Sequence, residues 1–417
     1  MSSMSPKKVL RRRVFYIPGY DPIHPRRYRE LYRKEGAAQA AISGYGITLR
    51  PKNDGGTYGW QVDGQFGPDP VQMTCEVLVW SDIVRDSMSN TIPATYLQLL
   101  RTAWVYIGSG ALARLMRLRK GPVIAALYPV VFLLAQLGLA LLAGWLVIRL
   151  TSVGLDLSGW NNSLAGTVVQ FGAWLAAAGA GWSVLRWFRA RDGRFFAYYL
   201  MHDYAFSAHL RGANPPALED RMQTFGEAVA AALQEPVDEV LVVGHSSGAH
   251  LAVSVLADLI RAGRVPQDGP DLAFLSLGQV VPMLSFLPDA QRLRADLQYL
   301  SESDALTWVD VTAPGDGCAF ALCDPVSVSG VARQGKRWPL VLSAAFTQTL
   351  SPARWKELRW RFFRLHFQYL CAFDRPGDYD YFAITAGPVP LAARYHGRAA
   401  SKSRIEKAVS GHVSVAA

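Results

Sequence analysis

The chain has 417 residues, half of them hydrophobic, and 43 Lys and Arg against 33 Asp and Glu give a formal net charge of +10. That length excludes a single small domain and suits one large α/β domain carrying an insertion. A mean hydropathy of +0.10 is high for a soluble enzyme, and Cys75, Cys318, Cys323 and Cys371 match no paired C-x-x-C metal spacing, so they read as reduced thiols.

Residues 1–12 are polar and then basic with no apolar core behind them, a basic tail expected to stay in the cytoplasm. Residues 13–93 form the first part of the α/β domain. Val14-Phe15-Tyr16-Ile17 is a buried strand ending at the turn Pro18-Gly19. A helix follows over 25–41. The segments 45–50 and 58–62 predict a hairpin across Asn53-Asp54-Gly55-Gly56, and 75–80 a further strand.

Residues 94–192 read as a membrane-associated insertion. From 121 to 148 there is no charged residue, a run of roughly 28 where a bilayer-spanning helix needs about 20. A second uncharged run gives transmembrane helices at about 122–148 and 164–185, joined by a loop holding Arg149 and Asp156. Arg114, Arg117, Arg119 and Lys120 precede the pair, and Arg186, Arg189, Arg191 and Arg194 follow it. The positive-inside rule then leaves both termini and the α/β domain in the cytoplasm, as in a two-span protein of a bacterial inner membrane. Trp160, Trp182 and Trp187 fall near the interfaces, and Gly172, Ala176 and Ala180 predict a small-residue packing stripe. Pro129 and Gln136 are too few polar breaks for a pore, so the hairpin reads as an anchor. The stretch 97–118 fits a membrane-surface helix or a core helix equally.

The second part of the domain spans 193–392, and 393–417 reads as a basic, flexible tail that includes His412. Helices are expected at 217–233 and 249–260, and strands at 239–243, 272–277, 306–311 and 339–346; the alternation implies a mainly parallel sheet flanked by helices. Between the strand at 239–243 and its following helix stands Gly244-His245-Ser246-Ser247-Gly248. The pattern G-x-S-x-G is weak alone, but a strand running in and a helix running out are what a nucleophile elbow requires, with small residues letting the two pass closely. Ser246 is the candidate nucleophile.

On this elbow, the strand order and the loop Pro18-Gly19-Tyr20-Asp21, the chain resembles the α/β-hydrolase superfamily over 14–382, outside the membrane hairpin. The resemblance implies an α/β-hydrolase-type fold with an inserted two-helix transmembrane hairpin. It also implies an oxyanion hole from the Ser247 amide and from an amide of the early loop, here Tyr20, where Pro18 stands in place of the family's His. The family's acid follows a late strand and its histidine comes after that. Asp316, in Ala313-Pro314-Gly315-Asp316-Gly317, is the first choice for the acid, with Asp310 inside the strand and Asp324 beyond it as alternatives. His366, among apolar and aromatic neighbours, is the first choice for the base, with His396 as the alternative.

The expected chemistry is ester hydrolysis through an acyl-enzyme, on a substrate that the anchor biases towards lipid. An acyltransferase or thioesterase using the same triad, or a non-catalytic membrane interaction protein, are the competing readings. His245, His250, His202 and His209 are read as packing or capping residues, and no metal or cofactor is assigned. The bilayer and an acyl substrate are the expected partners. Nucleic acid is not, since the flanks account for the basic charge.

Overall fold

The computed structural model describes residues 8–416 apart from 53, 54, 69, 89 and 90. Two units divide the chain. One comprises the residues up to Asp86, Val105–Val123 and those from Leu210 onward; the other comprises Ser87–Trp104 and Ile124–His209. The insertion is therefore bounded differently from the expected 94–192: the helix Ala197–His209 belongs with the apolar helices, and Val105–Val123 returns to the first unit.

The first unit is built on eight strands: β1 (Arg11–Ile17), β2 (Gly46–Pro51), β3 (Gly59–Gln65), β4 (Pro70–Val77), β5 (Glu239–His245), β6 (Asp271–Leu277), β7 (Thr307–Thr312) and β8 (Leu340–Ser343). They form one mixed sheet in the order β2-β3-β4-β1-β5-β6-β7-β8. The strands β4, β1 and β5 to β8 are parallel, while β2 and β3 add an antiparallel edge. The sheet is thus mixed with a parallel majority. Asn53 and Asp54 of the predicted turn lie outside the described residues. Every residue of β5 is buried, as a central strand covered on both faces must be. Val14, Tyr16, Leu241, Val243, Leu275 and Val309 lie in one apolar cluster on the sheet, each such side chain contributing about 1.5–3 kcal/mol by leaving water.

The basic tail proves shorter than expected, because Arg11, Arg12 and Arg13 are the start of β1. Arg12 is 1% exposed and donates to Glu239 at 2.5 Å and to the carbonyls of Gly387 and Val389 at 2.6 and 3.0 Å. Arg13 pairs with Glu235 at 2.7 Å and with Glu76. A buried guanidinium needs partners for its donors, and Arg12 finds them, whereas Arg13 pairs through its two terminal nitrogens only.

The segment 393–417, expected to be flexible, is instead tied to the first unit. Ile405 N–H donates to Leu322 O at 2.7 Å and Ile405 O accepts from Asp324 at 2.9 Å. Arg294, fully buried, spends its donors on the carbonyls of Ser285, Leu287, Pro288 and Ser414. His412 sits 3.3 Å from Ser109 O.

In the second unit the helices Lys120–Ser158, of which Ile124 onward belongs here, and Leu164–Ala190 are long and apolar enough to cross a membrane. At 1.5 Å per residue they exceed the roughly 30 Å hydrocarbon thickness. Arg149 and Asp156 lie on the first helix rather than in the connection, which shrinks to residues 159–163. The packing stripe is one residue away from the expected Gly172, Ala176 and Ala180. Ala173 and Ala177 are buried instead, and a methyl on Gly144 or Gly181 would lie 3.2 or 3.0 Å from the carbonyls of Ala177 and Ala140. On the helix Ile92–Gly108, Ile92 and Leu99 are buried while Leu97, Leu100 and Trp104 stand exposed in a row.

Candidate active site

In a parallel sheet, ligands meet the loops at the carboxyl ends of the strands. Here the loops after β1, β5, β6 and β7 carry Pro18 to Tyr20, Ser246, Gly278 and Asp316, and His366 follows β8.

β5 ends at His245 and a helix begins at Gly248, so Ser246 must reverse the chain alone. It does so at φ 56°, a left-handed conformation that costs a serine energy. Its N–H donates to Leu277 O at 2.9 Å, which locks the turn to the end of β6. The two glycines are required by crowding. A methyl on Gly244 would lie 2.7 Å from Gly248 O, and one on Gly248 would lie 2.1 Å from Ile17 O. Ser246 keeps partial exposure between buried neighbours.

Asp316 and His366, 50 residues apart, meet in the interior. His366 Nδ1 lies 2.7 Å from Asp316 Oδ2, which also accepts from Tyr369 Oη at 3.0 Å, while Asp316 Oδ1 accepts from the Cys318 amide at 2.9 Å. Burial alone would raise the Asp316 carboxyl. The His366 charge and the hydrogen bonds from His366, Cys318 and Tyr369 outweigh it and hold the group below its ordinary value. Burial, then the Asp316 charge, push the Tyr369 phenol well above its ordinary value, so it remains a donor. An ionised Asp316 facing Nδ1 fixes the tautomer with Nε2 as acceptor.

The imidazole and the serine share one corner. A methyl on Gly278, next to Leu277, would lie 3.1 Å from His366 Cε1. His245, beside Ser246, bonds His366 O through Nε2 at 3.0 Å, with its ring 4.8 Å from the His366 ring. Burial, then the His366 charge, push His245 down to about 3, so it is a neutral positioning group. Among the described residues no hydrogen bond joins Ser246 Oγ to the imidazole; such bonds commonly tighten only when substrate is bound.

The early loop lies against the serine. A methyl on Gly19 would be 3.0 Å from Ser246 Cβ and 3.4 Å from its Oγ. Trp80 Nε1 donates to Pro18 O at 2.9 Å, and Asp21 accepts from Tyr28 and the Ile23 amide, which together fix the loop carrying Tyr20. Ser247 is the N-cap of the following helix, so its amide is among those with no acceptor inside the helix.

The alternatives fall elsewhere. Asp310 stays within β7, bonded to Ser276 at 2.6 Å, and Asp324 caps the helix Pro325–Val328 and pairs with Lys336 at 2.7 Å. His396 is exposed and lines a cavity of about 440 Å³ at the opposite edge of the sheet, near Thr307 and Leu340. That cavity is apart from Ser246 and holds none of the residues considered for the triad except His396. Donor atoms of Asp316, Cys318 and His366 lie within 4.8 Å of one another, as a metal would need. The carboxylate and imidazole are already bonded to each other, which leaves that set better suited to proton transfer.

Tyr369, Gly278 and Trp80 escaped the sequence reading. Tyr369 follows His366 by three residues, and Gly278 follows a strand as Ser246 does; both signals were available. Comparison with protein-family models, curated proteins and solved structures returns no match.

Proposed function

We propose that the chain is a serine hydrolase of the α/β-hydrolase type, held at a membrane by its two apolar helices, that cleaves an acyl ester through an acyl-enzyme. The observation that carries this reading is the buried Asp316–His366 pair set beside a serine in a strained turn. The chain order supports it as well: nucleophile after β5, acid after β7, base after β8.

In this reading Ser246 Oγ attacks the acyl carbonyl while its proton passes to His366 Nε2. The amides of Ser247 and Tyr20 stabilise the oxyanion, a role worth about 3 kcal/mol per donor. His366 then protonates the leaving alkoxide, and Asp316 balances the imidazolium charge. Water, deprotonated by His366, releases the acid and restores the serine. An alcohol in place of water would make the same acyl-enzyme a transferase. A non-catalytic interaction protein has no need of a serine at φ 56° or of a buried carboxylate–imidazole pair, which disfavours that alternative.

Labelling with a fluorophosphonate tests the proposal. The wild-type protein should be modified and Ser246→Ala should not; equal labelling of the two removes Ser246 as the reactive group.

A further inference from the structure

The segment between the end of β8 and His366 has an unusual outer face. From 354 to 364 it holds Arg354, Lys356, Arg359, Arg361 and Arg364 against a single carboxylate, Glu357. Glu357 is shared among Arg354, Arg361 and Arg364 at 2.7, 3.4 and 3.4 Å. Leu358 and Leu365 anchor the segment in the core. Between them Trp360 is 72% exposed and Phe362 47% exposed. The Arg359 guanidinium lies 5.6 Å from the Trp360 ring centroid. Trp360 and Phe362 thus form an exposed aromatic pair set among cationic side chains.

The inner face of the same segment closes over the acid loop. A methyl on Gly315 would lie 2.6 Å from the Trp355 ring, and one on Gly317 would lie 3.3 Å from the Phe362 ring. Gly121, in the first turn of the helix Lys120–Ser158 and part of the first unit, also lies against that loop, 3.8 Å from Gly317 by the same measure. Arg119, just before it, donates to Ala321 O at 2.9 Å. Residues 119–121 of the first unit and an exposed basic aromatic segment thus both lie against the stretch 315–321.

We propose that residues 359–364 dock on an anionic bilayer surface, Trp360 and Phe362 entering the headgroup boundary and the arginines meeting lipid phosphates, so that the site draws its acyl ester from the leaflet. The proposal rests on the hydrolase reading for its substrate but not for its docking. Charge complementarity chooses the bilayer: indole and guanidinium side by side suit an interface that is apolar below and negative above. An acidic protein would match the arginines and leave Trp360 unexplained.

The test uses the full chain in nanodiscs of brominated phosphatidylglycerol and phosphatidylcholine. Tryptophan emission of the wild type should be quenched more than that of Trp360→Phe, and this difference should shrink in discs of brominated phosphatidylcholine alone and in Arg359→Glu/Arg361→Glu/Arg364→Glu. The ratio of bilayer-ester to soluble short-chain ester hydrolysis should fall about tenfold in Trp360→Ser. No Trp360-dependent quenching in a protein whose Ser246 still labels would overturn the docking and leave the hydrolase standing. Equal quenching in phosphatidylcholine alone would overturn the anionic assignment. Quenching without Ser246 labelling would keep the docking and remove the substrate claim.

Discussion

Asp310 shows how a side chain can be costly in one protonation state and quiet in the other. It is wholly buried in β7; one oxygen accepts from Ser276 and the other has no hydrogen-bond partner among the described residues. Burial raises its carboxyl, the Ser276 hydrogen bond offsets part of that and Asp324 adds to it, so that the group is pushed up to about 8. In the unfolded chain the value is about 3.9. Between those limits the folded state binds the extra proton, so stability is greatest below about pH 4 and is lost as pH rises through about 8. Asp310→Asn, a neutral mimic of the protonated acid, should lose less melting temperature than the wild type between pH 5 and pH 9. Parallel pH slopes in thermal melts of the two proteins would contradict this. Its place inside β7, bonded to Ser276, keeps Asp310 away from His366, whereas the equally buried Asp316 reaches the imidazole from the loop beyond the strand. At this scale the sequence singled out Ser246 and Asp316, because a strand-to-helix G-x-S-x-G and a post-strand Asp are local patterns, and the structure brings Asp316 together with His366. It did not reveal Tyr369 or Gly278: their positions carry local signals, but their contacts with Asp316 and His366 close only in space.

Glycines separate the elements that must touch from those that need not. On Gly248 a methyl would strike Ile17 O at 2.1 Å and Pro18 O at 2.7 Å, so Gly248→Ala should force the β1 loop off the elbow. A stability loss of about 3 kcal/mol or more is expected, with loss of fluorophosphonate labelling. Gly226, on the helix Pro216–Ala232, has nothing within 4 Å of such a methyl. Gly226→Ala should therefore stabilise by about 0.5–1 kcal/mol and leave labelling intact. Denaturant titration of the two variants reads both effects, and a mild Gly248→Ala would contradict the crowded elbow. Element positions were largely legible: β5, β6 and β7 fall within a few residues of their expected spans, because apolar runs set them. The packing face of the second apolar helix was not. In Ala173-Trp174-Leu175-Ala176-Ala177-Ala178-Gly179-Ala180-Gly181 nearly every position is small, so composition cannot say which row faces a neighbour.

The whole chain carries its charge in two ways. Some arginines are structural, as Arg12 and Arg294 are, and Arg114 and Arg119 spend donors on the carbonyls of Val409 and Ala321. The rest of the basic residues around the apolar helices should still orient them. A reporter fused after Gly159 is expected to behave as periplasmic or luminal, and one at the C-terminus as cytoplasmic; the reverse pattern would reject the orientation. The sequence read the tail as loose because its composition is polar, and missed that its backbone pairs with residues 322–328. One further consequence follows from β1. Arg12 finds its carboxylate partner, Glu239, 227 residues later, and the two apolar helices are synthesised in between. The ribosome therefore delivers the would-be anchor before the centre of the sheet exists. The first strand must wait, half paired, for the second half of the sheet to arrive, and Asp316 and His366 can meet only on a chain whose apolar helices have already been made.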